Sequence, residues 1–334
     1  MVAASAPTGD IWGGRQRRAN MNRDLLVGTA AGATSALFWF SILSGISGGV
    51  LLAYLSPFPL LLSGLNLGMR PMNIAAAVAV VLAAVISSPL AAGLFAASIA
   101  LPSWIIVRQA LLGQVKDETI VGWFPVGHIL AMIAGLGTIF IAALAVTHLG
   151  VEGGLEGAVE SFLKEAFATW FVTADGVDPV MIAGRLVPFF PGLVVSSWIL
   201  LMVVNATVAQ GLLVRLGRNI RPSPAYARLT LPDWLSWAFV AAAALSLIGS
   251  GDLQYVGRNV AIVLAVPFFF LGLSTVHTAA QRLPNKRAML AVFYMILLFF
   301  GWSALAVAGL GFFEQWAGLR HRFNGGHTGN EEEE

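Results

Sequence analysis

Arg185 is the side chain whose surroundings point most directly to chemistry. Asp175 and Asp178 lie upstream of it, and the segment Val-Pro-Phe-Phe-Pro follows at residues 187–191. An arginine and two carboxylates in an outer vestibule would recognise a polar or anionic solute through charge-assisted hydrogen bonds. The same three residues would also form an ordinary salt bridge within a loop. The sequence leaves both interpretations open.

Asn205 and Gln210 are polar amides inside a long apolar segment. Buried amides in a membrane protein either join helices through hydrogen bonds or contact a solute, and both roles are open here. We therefore name Arg185, Asn205 and Gln210 as candidate solute-contacting residues.

Small residues recur at every fourth position in the first apolar segment, at Gly28, Gly32 and Ala36. Such a stripe lets two helix backbones approach closely, either within one protein or against a partner. These three residues are the candidate helix-docking residues.

Residues for enzymatic chemistry are scarce. Gly45-Ile46-Ser47-Gly48-Gly49 matches G-x-S-x-G, but the strand-turn-helix context of a nucleophilic serine is missing. The chain has no cysteine, no H-E-x-x-H and no phosphate-binding loop, so disulfides and thiolate metal sites are excluded. We predict no catalytic residue, no metal and no cofactor, and hence no enzyme.

The elements that would position these residues are membrane helices. No Asp, Glu, Lys, Arg or His occurs from Leu25 to Met69 or from Pro71 to Val107, and the first of these segments is about 45 residues long. A span needs roughly 20 apolar residues, so each segment holds two. Charged residues are 11% of the chain and hydrophobic residues 57%, with a net charge of +2, which gives no basis for nucleic-acid binding. The pattern predicts an all-α, polytopic transmembrane bundle whose environment is the lipid bilayer.

Nine spans are predicted, with eight as the alternative count, and short loops on one side carry most of the arginines, which places the N-terminus in the cytoplasm. The spans are 25–44, 47–66, 73–89, 90–107, 124–148, 187–213, 234–250, 259–280 and 289–312. Pro57 and Pro59 are expected to interrupt the second span. The side of the C-terminus depends on the count.

Three parts divide the chain: a polar leader over residues 1–24, a membrane domain over 25–313 and a polar tail over 314–334. Residues 1–20 are expected to be disordered, and Met21 is an alternative start to Met1. Within the membrane domain, Glu152, Glu156, Glu160 and Lys164 recur at every fourth residue between apolar positions. This spacing predicts an amphipathic helix over about 151–172 that lies on the outer membrane surface.

Four stretches carry a family resemblance: the first span from Leu25, Pro57-Phe58-Pro59 with Leu67-Gly68-Met69-Arg70, Leu231-Pro232-Asp233-Trp234 with Gly257-Arg258-Asn259, and Gly311 to Trp316 with Arg320. Together they resemble the YybS-like family of predicted bacterial membrane proteins. That family is distantly similar to the substrate-binding subunits of energy-coupling-factor transporters and to the rod-shape protein MreD.

The resemblance implies a multi-pass protein of the bacterial inner membrane with two alternative functions. In the first it is a transporter-type subunit that binds or translocates a small solute, with Gly28, Gly32 and Ala36 docking a coupling subunit. In the second it is a scaffold, without transport activity, in an envelope or division assembly. The chain has more spans than the usual six of those transporter subunits, and no ligand residues carry over.

Overall fold

The computed structural model describes residues 10–44, 48–116, 119–170, 179–281 and 283–317. Over these ranges the chain forms α-helices joined by short turns and one antiparallel hairpin, whose strands are β1 (Gly113–Lys116) and β2 (Thr119–Trp123). The helices are α1 (Asp10–Phe40), α2 (Gly49–Tyr54), α3 (Pro57–Leu67), α4 (Met69–Ile86), α5 (Pro89–Phe95), α6 (Leu101–Ala110), α7 (Val126–Thr147), α8 (Gly154–Trp170), α9 (Pro179–Leu186), α10 (Phe190–Arg215), α11 (Asp233–Ile248), α12 (Asp252–Ala280), α13 (Lys286–Phe299) and α14 (Ser303–Ala317).

The helical membrane class is confirmed. In the described ranges, seven helical stretches are long and apolar enough to cross a bilayer, and the bent pair α13 and α14 makes eight if it forms one span. The seven stretches are Met21–Leu43, Gly49–Leu67, Met69–Ile86, Pro89–Ala110, Val126–Thr147, Met181–Arg215 and Asp252–Ala280. Helix α11, the seventh predicted span, is shorter at 16 residues.

Two expectations differ from the structure. The leader was expected to be disordered through residue 20, but α1 begins at Asp10 and runs for 31 residues. Once an apolar segment is helical, each added residue gains a hydrogen bond without a new nucleation cost, and Arg15, Arg17, Arg18 and Ala19 in the extension favour helix. The predicted last span, 289–312, is not one straight helix. The helix axis bends by 118° between α13 and α14, around Phe300–Trp302.

The chain divides into two compact units. The first comprises Met1–Phe124 and Leu201–Ser223. Within it α1 packs along α4 and α3, with buried Ala75, Ala79 and Ala83 on α4. The interruption predicted at Pro57 and Pro59 is observed, since α2 ends at Tyr54 and α3 begins at Pro57. Proline lacks the N–H that a continuous helix would need there.

The second unit comprises Pro125–Leu200 and Pro224–Glu334 and is built around α12. Helices α7, α11 and α14 pack on α12. Gly272 and Gly311 allow the closest of these contacts, because a Cβ at either position would overlap a backbone carbonyl of the facing helix. The structure has helix α8 where the sequence predicts an amphipathic helix. Its buried face comprises Leu155, Val159 and Leu163, and these residues form a core with Ala183, Val187 and Tyr255.

Candidate functional site

Proline interrupts the helical run Met181–Arg215, and the break has its own hydrogen-bonding partners. Helix α9 ends at Leu186, a tight turn covers Val187–Phe189, and α10 begins at Phe190. Pro191 has no N–H to donate to the carbonyl of Val187 four residues earlier. The hydroxyl of Tyr255 donates to that carbonyl at 2.8 Å, and Tyr255 is 2% exposed. A side chain of α12 therefore compensates for the missing helical hydrogen bond.

Asn259 bridges the next pair of backbone groups in the same break. Its Nδ2 donates to the carbonyl of Pro188 at 3.1 Å, and its Oδ1 accepts from the N–H of Gly192 at 2.8 Å. A continuous helix would pair these two backbone groups with each other. Asn259 is fully buried, so its amide satisfies both groups where water is absent. Sequence reasoning noted Asn259 only as part of a family motif, although an asparagine in an apolar helix was a signal for such a role.

A cavity of about 260 Å³ lies beside this break. It is bounded by the C-terminal end of α7, by α8 and by the first turns of α10. The lining is apolar apart from His148, and comprises Phe140, Ile141, Leu144, His148, Leu155, Ala158, Val159, Phe162, Phe190, Pro191, Val194 and Val195. Its volume is close to the lower end of the range of ligand pockets, about 300–1,000 Å³. No single segment of the sequence indicates this cavity, because its lining comes from three separated helices.

The cavity opens on the surface of its unit, and the side chains at its mouth are apolar. Its inner lining includes Ile141 and Leu155, which are at most 2% exposed. At the mouth, Phe140, Phe162 and Val194 are about half exposed. Phe140 and Val194 lie on stretches long enough to cross a bilayer, where exposed apolar side chains contact hydrocarbon. We therefore expect the α7 and α10 side of the opening to face lipid.

His148 is the polar residue of the cavity. It follows the last residue of α7 and is half-buried. Its Nδ1 lies 2.8 Å from the carbonyl of Leu144, so Nδ1 carries the proton that is donated. The other ring nitrogen, Nε2, then accepts a hydrogen bond when the imidazole is neutral.

Arg185 lies on α9 and is exposed. Asp175 and Asp178, its predicted neighbours, lie outside the described residues. Arg185 does not line the cavity and precedes Phe190, the nearest lining residue along the chain, by about one helical turn. The structure thus places Arg185 on the helix before the break.

Asn205 is a buried connector in the first unit. It is 3% exposed, and its Nδ2 donates to the carbonyl of Tyr54 at 3.0 Å and to that of Leu201 at 2.9 Å. The carbonyl of Tyr54 needs this donor because the N–H of Phe58 bonds to Leu55 at the break before Pro57. Asn205 therefore joins two helices, as one of its two predicted roles required.

Gln210 reaches a loop rather than a cavity. Its Nε2 donates to the carbonyl of Arg221 at 2.7 Å. Arg221 is itself only 7% exposed, and its guanidinium donates to the carbonyls of Ala110 and Phe124 at 3.2 and 3.0 Å. The positive guanidinium at Ala110 satisfies the C-terminal end of α6. The sequence indicates Arg221 only as one of the loop arginines, because its partners lie more than 90 positions away in the chain.

The stripe of Gly28, Gly32 and Ala36 faces α4 of the same chain. A Cβ added at Gly28 would lie 2.8 Å from the Cβ of Ile74, and one at Gly32 would lie 2.9 Å from that of Val78. Ala36 is fully buried. The stripe therefore docks helices within the first unit, and a separate subunit would have to displace α4 to use it.

The serine motif at residues 45–49 falls largely outside the described residues, as Gly45, Ile46 and Ser47 do. Across the described ranges, no group of three His, Asp or Glu side chains is arranged to hold a metal ion. Among the described residues, the cavity at the helix break, with His148 in its lining, is the arrangement that we take as a candidate binding site.

Comparison with known proteins places the chain at the level of a family. A search of the curated proteins and a search of the solved structures each found no match. A family model described as predicted membrane protein (DUF2232) matches residues 32–314. This range includes the helix break, Asn259 and every residue that lines the cavity. The chain belongs to the predicted membrane protein family DUF2232.

Proposed function

We propose that this protein is a transporter-type binding subunit that holds a small solute in the cavity beside the break between α9 and α10. The observation that carries the proposal is the position of the cavity, where Phe190 and Pro191 line it directly at the interruption. Transporters build their solute sites at interrupted membrane helices, because irregular backbone is tolerated where it lines a cavity. The chain resembles the YybS-like family, and the distant similarity of that family to energy-coupling-factor binding subunits agrees with this role.

The proposal changes the set of solute-contacting residues. Asn205 and Gln210 use their donors on backbone carbonyls of the first unit, so we assign Asn205 to helix packing and Gln210 to fixing the loop at Arg221. His148, the polar residue of the lining, is our candidate for contact with the polar part of a solute, and Arg185, which lies outside the lining, stays a prediction. We propose binding without catalysis, in the bacterial plasma membrane and with the N-terminus in the cytoplasm.

Native mass spectrometry of the detergent-purified protein tests this function. The variant Ala158→Trp fills the cavity, because Ala158 lines it. Ala168→Trp is the matched control, since Ala168 is exposed on the same helix and does not line the cavity. A small molecule that is retained by the wild type and by Ala168→Trp, but lost from Ala158→Trp, supports the proposal. A wild-type protein that carries no small molecule contradicts it.

A scaffold role is the second candidate, and α13 favours it. No residue of α13 is buried in the chain, and Leu298, Phe299 and Trp302 at its end are at least 66% exposed. A helix with so few contacts in its own chain is free to pack against another membrane protein. A protein partner of fixed stoichiometry without any bound small molecule, in the same mass spectra, would favour the scaffold.

A further inference from the structure

We infer that the ligand of this cavity is an uncharged amphiphile with one alkyl chain, whose hydroxyl head bonds to His148. The inference rests on the proposed function, because it assigns a chemical class to the solute of the same site. Two observations carry it: the apolar lining, and His148 with its Nδ1 hydrogen-bonded to Leu144, which leaves Nε2 without a hydrogen bond to the described residues. The expected exposure of the opening to lipid supports it.

The lining selects for an alkyl chain. The side chains around the cavity are aliphatic or aromatic apart from His148, so a polar solute would lose its hydrogen bonds to water without replacement. An alkyl segment has no such cost and gains contacts with buried Ile141, Leu155 and Val195. The small volume fits part of one chain rather than a two-chain lipid.

The opening would let such a molecule enter the cavity directly from the bilayer. Phe140, Phe162 and Val194 line the cavity and are also exposed at the apolar surface of their unit. A chain that is already dissolved in the bilayer can therefore enter sideways, without first passing through water.

His148 selects the head. Its Nδ1–H is used by the carbonyl of Leu144, which leaves Nε2 as an acceptor in the neutral ring. A hydroxyl donates to such a nitrogen, whereas an alkane has no donor. An anionic head is disfavoured because α8, which covers the cavity, carries Glu156, Glu160 and Glu165 against one basic residue, Lys164. Lys164 is already paired with Glu160 at 2.7 Å.

Photo-crosslinking with a 12-carbon alcohol that bears a diazirine at its far end tests the inference. The full-length protein is reconstituted in phosphatidylcholine vesicles, labelled, and mapped by peptide mass spectrometry. We expect labelling of cavity residues on α7, α8 or α10 that Ala158→Trp removes and Ala168→Trp retains. Equal labelling of all lipid-facing helices would overturn the inference.

Competition against the labelled alcohol then tests the assignment of a hydroxyl head group. Dodecan-1-ol should compete about five- to tenfold better than dodecane or dodecanoate, the selectivity that one net hydrogen bond provides. His148→Ala should abolish this preference while labelling continues, and His277→Ala, on α12, should leave the preference unchanged. Equal competition by the alkane or the carboxylate would refute the hydroxyl assignment.

The two proposals fail in distinguishable ways. If native mass spectrometry shows a retained molecule without an alkyl chain that Ala158→Trp displaces, the binding function stands and the ligand class is wrong. If Ala158→Trp changes neither retention nor labelling, both proposals are wrong.

Discussion

Asn259 accepts a hydrogen bond from the backbone N–H of Gly192 at 2.8 Å, although 67 residues separate them in the chain. The same amide donates to the carbonyl of Pro188 and to that of Tyr255. One buried side chain thus completes the backbone hydrogen bonding of a broken membrane helix. The break can persist beside an apolar cavity because its polar groups are satisfied within the protein.

Replacing Asn259 by leucine should destabilise the protein. The substitution leaves the N–H of Gly192 and the carbonyl of Pro188 without their partner, and each buried unsatisfied group costs about 1–3 kcal/mol. We expect a lower thermal midpoint in detergent, measured by intrinsic fluorescence. Asn285→Leu is the control, because Asn285 is exposed and its side chain does not cap α13. Equal midpoints for the two variants would contradict this role of Asn259.

Gly192→Ala and Gly211→Ala should affect the thermal midpoint of unfolding differently, although both residues lie on α10. A Cβ at Gly192 would lie 2.9 Å from the backbone oxygen of Asn259 and 3.1 Å from the Cβ of Ile262, whereas nothing lies within 4 Å of a Cβ at Gly211. Alanine at an open helical position stabilises by about 0.5–1 kcal/mol relative to glycine. We therefore expect a lower midpoint for Gly192→Ala and an unchanged or higher one for Gly211→Ala. A Gly192→Ala midpoint at or above that of the wild type would show that the contact is not tight.

Arg221→Lys should weaken the first unit even though the charge is kept. The guanidinium uses two different nitrogens to reach Ala110 and Phe124, and the single ammonium of lysine cannot reproduce this fork. Loss of one charge-assisted bond costs about 1.5–3 kcal/mol. Arg218→Lys, at an exposed position of the same loop, is the control and should be neutral. Protease resistance of the purified variants measures the effect, and equal digestion rates would refute the prediction.

The C-terminus should lie on the same side of the membrane as the turn between α12 and α13. Helices α13 and α14 have 14 and 15 residues, so each is about 21–23 Å long and shorter than the bilayer core of about 30 Å. Their 118° bend directs α14 back toward the side from which α13 entered. In the predicted topology this side is the cytoplasm, which also suits Arg320 and Arg322.

A reporter fused after Glu334 measures this directly. Green fluorescent protein should fluoresce there, and alkaline phosphatase should be inactive. Active alkaline phosphatase at this position would show that α13 and α14 together complete one crossing.

The positions of the spans followed from the sequence because they depend on local properties. A segment without charge that exceeds the bilayer thickness must form helix there, whatever its neighbours are. The same locality explains the prediction of α8, since Leu155, Val159 and Leu163 recur at helical spacing. It also explains the interruption at Pro57, where the missing N–H is a property of the residue itself.

Contacts decided one of the two differences, the bend near the C-terminal end, and they also decided which helix packs on the small-residue stripe. The bend between α13 and α14 follows no proline, and the run 289–312 is apolar enough for one straight span. The stripe at Gly28 and Gly32 showed that a helix would pack there, but not that α4 would be that helix. Small residues specify close approach without specifying the partner.

The sequence by itself determined that this is a multi-pass helical membrane protein, where seven of its nine predicted spans lie and which few polar residues they contain. Only the tertiary structure decided what those residues do, because a hydrogen bond is specified by distance and direction in space. Asn205 donates a hydrogen bond to the carbonyl of Tyr54, 151 residues away in the chain. Asn259 donates one to the carbonyl of Pro188 at the break, 71 residues away. The cavity likewise exists only where α7, α8 and α10 come together, because each helix supplies only part of its lining.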